Sequence, residues 1–231
     1  MDAQGDMPKW DKLAIAPNLY EEGDPWSYVA ACSSSFTFVL AIVLPTVCIV
    51  KRDLHTITIF IFYELSALEN MGLKSLLRED RPGDLHVNHS SDTVVDYGMP
   101  SFHAQQSTLF AVYTCYFLCK RLQHNSLIWR LLLGLASLCV AATVTAFRRV
   151  PWIGGDHTLH QVFVGCVVGA ANAAILAVSM EHLFTGWFPI IEKWSVCQWL
   201  LIRDTTKIPN VTQFEYDCVM ETTKPILTSA Y

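Results

Sequence analysis

The feature that most constrains this chain is the run from Val29 to Val50, which passes without a single charge. At a rise of about 1.5 Å per residue, a helix of that length crosses a bilayer hydrocarbon core of about 30 Å. Pro45 lies inside the run, which membrane helices tolerate, and Lys51-Arg52-Asp53 ends it. A second run, Thr158 to Met180, is equally free of acidic and basic charge. Within it Gly165, Gly169 and Ala173 recur four apart, a spacing that lets membrane helices approach closely. The composition agrees with a lipid environment. Charged residues make up 16% of the chain, against about a quarter in a soluble domain.

Three more apolar stretches, Leu54–Leu73, Ala104–Cys119 and Leu127–Phe147, complete the pattern. It predicts an all-α polytopic membrane bundle of about five transmembrane helices. Glu64 and Glu69 interrupt the Leu54–Leu73 stretch. A carboxylate in lipid is costly, so both are expected to face the bundle interior or a wet cavity. That helix is predicted to continue to Arg81, where Pro82-Gly83 stops it. Three regions follow. Residues 1–28 are polar and acidic, without the basic start and apolar core of a cleavable signal. Residues 29–182 hold the spans. Residues 183–231 begin with an interfacial mixture of Trp187, Phe188, Trp194 and Trp199 and end in a polar tail. Lys51, Arg52, Lys120, Arg121 and Arg130 cluster at one set of helix ends, which the positive-inside rule assigns to the cytosol.

Other features exclude function classes. A net charge of -5 argues against nucleic acid as a partner. The eight cysteines include no CxxC and no pairing with histidine at zinc spacing, so they read as small buried hydrophobes. Residues 83–99 read as a loop carrying the sequon Asn88-His89-Ser90.

Two polar islands stand out from the oily background. The first holds Lys74, Arg78, Arg81-Pro82 and Pro100-Ser101-Phe102-His103. If the helix runs on, Lys74, Arg78 and Arg81 share one face. By itself such a row is also what headgroup binding and snorkelling produce. Ser101 precedes an apolar helix and suits an N-cap, which turns the first amides and the helix dipole toward an anion. His103 suits proton donation there. The second island holds Arg149, a planar donor fork for phosphate oxygens, and then His157. Gln161 falls one turn later and can accept from one imidazole nitrogen, leaving the other free to attack. Each island alone is also compatible with polar residues at a helix end. The ordered set supplies phosphate binders, a proton donor and a nucleophile without a metal.

That set resembles the type 2 phosphatidic acid phosphatase superfamily, whose signature is KxxxxxxRP, PSGH and SRxxxxxHxxxD. Further stretches resemble its dolichyl-diphosphate phosphatase branch. They are Tyr97-Gly98-Met99-Pro100-Ser101, His157-Thr158 with Gln161-Val162, and the tail Leu201-Ile202-Arg203-Asp204-Thr205, Ile208-Pro209-Asn210-Val211 and Phe214-Glu215-Tyr216. The resemblance covers about Asp24 to Tyr216. It implies a membrane phosphatase of the endoplasmic reticulum with a lumenal site and no cofactor. The substrate implied is a polyprenyl diphosphate, dolichyl diphosphate, recycled as lipid carrier for protein N-glycosylation. It also implies roles. Lys74, Arg81 and Arg149 bind phosphate, and Ser101 with its neighbouring amides stabilises the equatorial oxygens. His103 protonates the leaving group, and His157 forms a phosphohistidine.

Three departures accompany the resemblance. Phe102 replaces a small residue. Gln161 replaces the superfamily's Asp, as in the dolichyl branch. His157 follows Arg149 by eight residues instead of six, with Asp156 a second candidate to orient a histidine and Arg148 standing where the superfamily has Ser. The alternatives are a phosphatase of another membrane lipid phosphate and a catalytically silent relative that binds lipid phosphate.

Overall fold

Asp24 starts the first pass through the bundle. Its carboxylate accepts from the amides of Trp26 (2.9 Å) and Ser27 (3.2 Å), with Pro25 at the first helical position. The computed structural model describes residues 10–12, 19–82, 97–122, 126–148 and 157–228. Helix α1 (Pro25–Ser34) runs into α2 (Phe36–Lys51) through a joint at Ser35, whose hydroxyl donates to the Ala31 carbonyl at 2.9 Å. The first pass therefore begins four residues before Val29. Ahead of it, β1 (Trp10–Lys12) and β2 (Leu19–Glu21) form a small antiparallel hairpin that the polar N-terminal composition did not announce. The Ser27 hydroxyl ties it to α1 by accepting from the Glu21 amide at 2.8 Å.

Asp53 caps α3 (Leu54–Leu77), accepting from the Thr56 amide at 3.1 Å. Then come α4 (Phe102–Lys120), α5 (Leu127–Phe147) and α6 (Leu159–Ser179). A π-helical turn, Met180–Phe184, carries α6 into α7 (Thr185–Ile191). Three of these stretches, Pro25–Lys51, Leu127–Phe147 and Leu159–Ile191, are long and apolar enough to cross a membrane. The last overruns the expected boundary at residue 183. Phe188 explains why: it is buried in the core and stacks on Phe184, with ring centroids 6.1 Å apart.

Helix α4 is the axis of the bundle, packed most closely on α6 and then on α5. The approach to α6 depends on two glycines. A Cβ at Gly165 would stand 2.6 Å from the Ser101 carbonyl oxygen, and one at Gly169 would collide with the backbone of Gln105. A buried polar knot fastens α3 to this pair. The side-chain nitrogen of Gln105 donates to Ser66 Oγ (3.0 Å) and to the Glu69 carboxylate (3.3 Å), and Asn172 donates to the same carboxylate and to Ser66 Oγ (3.1 Å). Glu69 bonds to α4 and α6 in this way while remaining exposed itself, and Glu64 is exposed as well. Five residues on a helix turn through about 140° beyond a full circle, so the two carboxylates lie on different faces of α3.

The tail is more ordered than its polarity suggested, with α8 (Ser195–Trp199) and α9 (Val211–Thr228). It closes the bundle end away from His103 and His157. The Leu54 amide donates to the Arg203 carbonyl (3.0 Å), and the Asp53 carboxylate accepts from the Thr205 hydroxyl (2.6 Å). Arg121 donates to the Thr205 and Thr206 carbonyls, and Glu215 pairs with Lys51 (2.8 Å) and Arg203 (2.9 Å).

Overpacking the α4–α6 contact costs about 1–3 kcal/mol. Gly169→Ala is expected to lower the thermal midpoint in detergent and to reduce activity with it. Gly72→Ala, where a Cβ meets nothing within 4 Å, is expected to leave the midpoint unchanged.

Candidate active site

Lys74 sits in the last turn of α3. The helix then stops earlier than the sequence suggested. Arg78 adopts a left-handed φ of 49°, its amide donates to the Lys74 carbonyl (3.0 Å) and its guanidinium to the Ser75 carbonyl (3.0 Å). Arg78 is therefore exposed and turned back on its own helix, and the expected cationic helix face does not form. Tertiary bonds take over after it. The Glu79 carbonyl accepts from the Gly98 amide at 2.7 Å, and the Asp80 carbonyl from the Gln161 side chain at 2.9 Å. Arg81 leaves the helix on this turn. Its charge, like that of Lys74, still acts on His103 and on His157.

Ser101 occupies the N-cap position of α4 and is fully buried, but its hydroxyl makes no capping bond. This corrects the sequence expectation. Its amide donates instead to the Gln161 carbonyl at 3.1 Å, pinning the start of α4 to α6, and its Oγ is buried without a hydrogen-bond partner among the described residues. The amide of Ser101 is thus committed, which leaves the amides after it in the first turn of α4 as those that the helix start can offer to an anion. A second tie holds the loop from below, where the Asn70 amide donates to the Pro100 carbonyl at 3.3 Å and to Gln105 Oε1 at 2.7 Å. The bulk of Phe102 is accommodated edge-on to the His103 ring, with centroids 5.7 Å apart.

Arg149 and Asp156 lie outside the described residues, as does most of the loop between α5 and His157. The arginine that the structure does bring in is Arg148, at the C-terminal end of α5. It is only 8% exposed, its carbonyl accepts from the His157 amide at 3.3 Å, and its charge acts on both histidine rings. The motif pattern passed over it because it occupies a serine position. The readable signal was the Arg148-Arg149 pair itself, which offers a second guanidinium at the same helix end.

His157 is held in one orientation. The Thr158 hydroxyl accepts from the Gln161 amide at 3.2 Å, and Gln161 Oε1 accepts from the Thr158 amide at 3.2 Å, a reciprocal capping box that opens α6. Gln161 Nε2 donates to Glu79 Oε1 and to the Asp80 carbonyl, both at 2.9 Å. Two pure acceptors fix the nitrogen end of that amide, so its oxygen must be the atom that faces His157 Nδ1 at 3.3 Å. Nδ1 then carries the hydrogen, and Nε2 presents a lone pair. Burial, with Arg81 and Arg148 next, drives the His157 pKa down to about 3, against a smaller upward pull from Gln161. The ring is neutral at physiological pH. Among the described residues, no group of three or more His, Cys, Asp or Glu could hold a metal ion.

The arrangement is a buried neutral imidazole whose Nε2 carries a lone pair, with a second histidine nearby and Lys74, Arg81 and Arg148 close enough for their charges to act on both rings. It suits capture of a phosphoryl group. Comparison with known proteins agrees: the family model described as PAP2 superfamily matches residues 54–184. The chain belongs to the PAP2 superfamily. Among curated PAP2 relatives, the mouse protein named Dolichyldiphosphatase 1 is 33% identical over 93% of this chain and 91% of its own length. Dolichyldiphosphatase 1 of Dictyostelium discoideum is 31% identical over 90% of this chain and 88% of its own. Lipid phosphate phosphatase gamma of Arabidopsis thaliana is 31% identical over 72% of each. No solved structure matches. A PAP2 membership with these apolar helices makes the chain a multi-pass membrane protein.

Removing a cation beside His157 makes protonation of the ring easier. Arg148→Gln is therefore expected to move the acid limb of the kcat/KM profile to higher pH. It is also expected to weaken inhibition by vanadate about tenfold, the loss of a charge-assisted contact.

Proposed function

We propose that the chain hydrolyses dolichyl diphosphate to dolichyl phosphate and inorganic phosphate, by a metal-independent route through a phosphohistidine on His157. One observation carries the reading: His157 is neutral, with its Nδ1 hydrogen committed to Gln161 and Nε2 left to attack, amid three cationic side chains that also face His103. The names of the relatives that align over nine-tenths of the chain support the substrate.

In this mechanism Lys74, Arg81 and Arg148 hold the terminal phosphate. The resemblance assigns the third contact to Arg149; the burial of Arg148 beside both rings supports Arg148. The Ser101 hydroxyl and the amides after it serve the equatorial oxygens. His157 Nε2 attacks the terminal phosphorus in line. The bond to the bridging oxygen breaks, and that oxygen takes a proton from His103 as dolichyl phosphate departs. Water then attacks the phosphohistidine, giving its proton back to His103, and the P–Nε2 bond breaks to release phosphate. The rate comes from fixed positive donors matched to the charge of the transferring group. The polyprenyl chain stays in lipid throughout.

The cations at the opposite bundle end, Lys51, Lys120, Arg121 and Arg130, support a cytosolic placement of that end. The histidines then face the lumen of the endoplasmic reticulum, where the product feeds protein N-glycosylation.

In detergent with EDTA present, the parent protein is expected to release phosphate from dolichyl diphosphate, and His157→Ala to lose about four orders of magnitude or more in kcat. Preferential turnover of phosphatidate in a parallel assay would transfer the assignment to another lipid phosphate. Undiminished turnover in His157→Ala would remove the phosphohistidine.

A further inference from the structure

The hydrogen-bonded line from His157 does not end at Gln161. It continues from Gln161 Nε2 to Glu79 Oε1 at 2.9 Å, so a carboxylate stands one amide away from the nucleophilic ring. Nothing in the motif pattern points to Glu79, which lies between Lys74 and Arg81 on the turn that follows α3.

The packing around this line shows that its middle member has one permitted place. A Cβ on Gly98 would lie 2.6 Å from Gln161 Nε2 and 2.7 Å from Oε1, so the absent side chain at Gly98 makes room for the amide. The Gly98 amide in turn donates to the Glu79 carbonyl at 2.7 Å, closing a ring of contacts among Glu79, Gly98 and Gln161. Gln161 itself is fully buried. The direction of its amide is fixed twice over, by the Glu79 carboxylate and by the Asp80 carbonyl. Orientation alone therefore does not need a charge at Glu79, because the Asp80 carbonyl holds the same nitrogen.

The charge has a use in the chemistry. This inference rests on the reading that His157 is the nucleophile. When Nε2 bonds to phosphorus and the bridging P–O bond breaks, Nδ1 keeps its hydrogen, and the ring becomes a cationic N-phosphoryl imidazolium. A neutral amide beside Nδ1 stabilises that charge only as a dipole. A carboxylate on the far side of the amide polarises it, drawing its hydrogens and enriching Oε1, and adds its own negative charge a few ångströms further off. No proton is transferred to Glu79, and none needs to be.

We propose that Glu79 is a positioning residue for the phosphoryl-transfer step. Acting through Gln161, it supplies His157 with the negative charge that a directly contacting carboxylate would give. The other oxygen of Glu79 lies 3.9 Å from Nδ1 of the exposed His160, a weak contact at the solvent side that leaves Oε1 on Gln161.

Glu79→Gln tests this, because it keeps an oxygen for Gln161 and removes only the charge. The expected result is a fall of about tenfold in kcat with KM within about twofold, and an equal fall in the rate of phosphohistidine formation by rapid quench. The same substitution is then made in Gln161→Asp, which sets a carboxylate directly against Nδ1. There it is expected to cost less than about twofold, since the charge is already supplied. Three results would overturn the proposal: a Glu79→Gln kcat within twofold of the parent, a change confined to KM, or an equal loss in the Gln161→Asp background. The last two would mark Glu79 as a mere support for the loop. Failure of the underlying reading looks different, since His157→Ala would then keep its turnover.

Discussion

The bundle depends on how closely α4 can lie against α6. Gly165 and Gly169 carry no side chain, so the backbone at Ser101 and Gln105 rests directly on α6. Between helices already in lipid there is little hydrophobic drive, and close packing with interhelical hydrogen bonds does the work instead. Both occur here. The same contact that lets the helices touch also places the Ser101 amide on the Gln161 carbonyl at 3.1 Å, joining the start of one helix to the start of the other. The two histidines follow from that joint. His103 is in the first turn of α4, and His157 is the residue before the cap of α6. A shift at the glycines would therefore displace His103 relative to His157.

The polar knot beneath this joint extends the constraint to α3. Glu69, Ser66 and Asn70 on α3 meet Gln105 on α4 and Asn172 on α6. Inside a membrane each of these groups would be costly without the others, so they fix the register of three helices more sharply than apolar contacts could. Asn70 passes the constraint upward, because the same side chain that bonds Gln105 also holds the Pro100 carbonyl. The loop before His103 is therefore held from α3 below and from α6 beside it. Lys74 lies one turn above Asn70 on α3, so the register that seats the loop also sets the height of the Lys74 charge.

Much of this was legible in the chain. The uncharged runs gave the passes, the four-residue spacing of Gly165, Gly169 and Ala173 gave the close contact, and His157 with Gln161 four later gave the hydrogen bond at the ring. What was not legible shares one cause. Each missed feature is decided by a partner distant in sequence. The end of α3 was assigned to Pro82, a local breaker, but Gly98 and Gln161 capture the backbone of Glu79 and Asp80 first. The run through residue 183 continues to Ile191 because Phe188 finds a place in the core. Ser101 looked like a cap on local grounds, yet its amide is taken by α6. Arg148 and Arg149 are neighbours that a motif separates by one position, and the bond from the His157 amide to the Arg148 carbonyl, which sets Arg148 beside that ring, joins residues nine apart.

The two ends of the bundle handle positive charge in opposite ways, and this gives the molecule its polarity. At the tail end, Lys51 and Arg203 share the Glu215 carboxylate, and Arg121 is absorbed by the carbonyls of Thr205 and Thr206. The cations there fasten the tail across the α2–α3 turn, and the Asp53 carboxylate completes the fastening. At the other end, Lys74, Arg81 and Arg148 converge on two imidazoles. The glycine contact, the polar knot and the tail clamp fix the helices on which these charges sit. The donors around the imidazoles are therefore set in position by the packing of the bundle, the preorganisation on which electrostatic stabilisation of a transferring group depends.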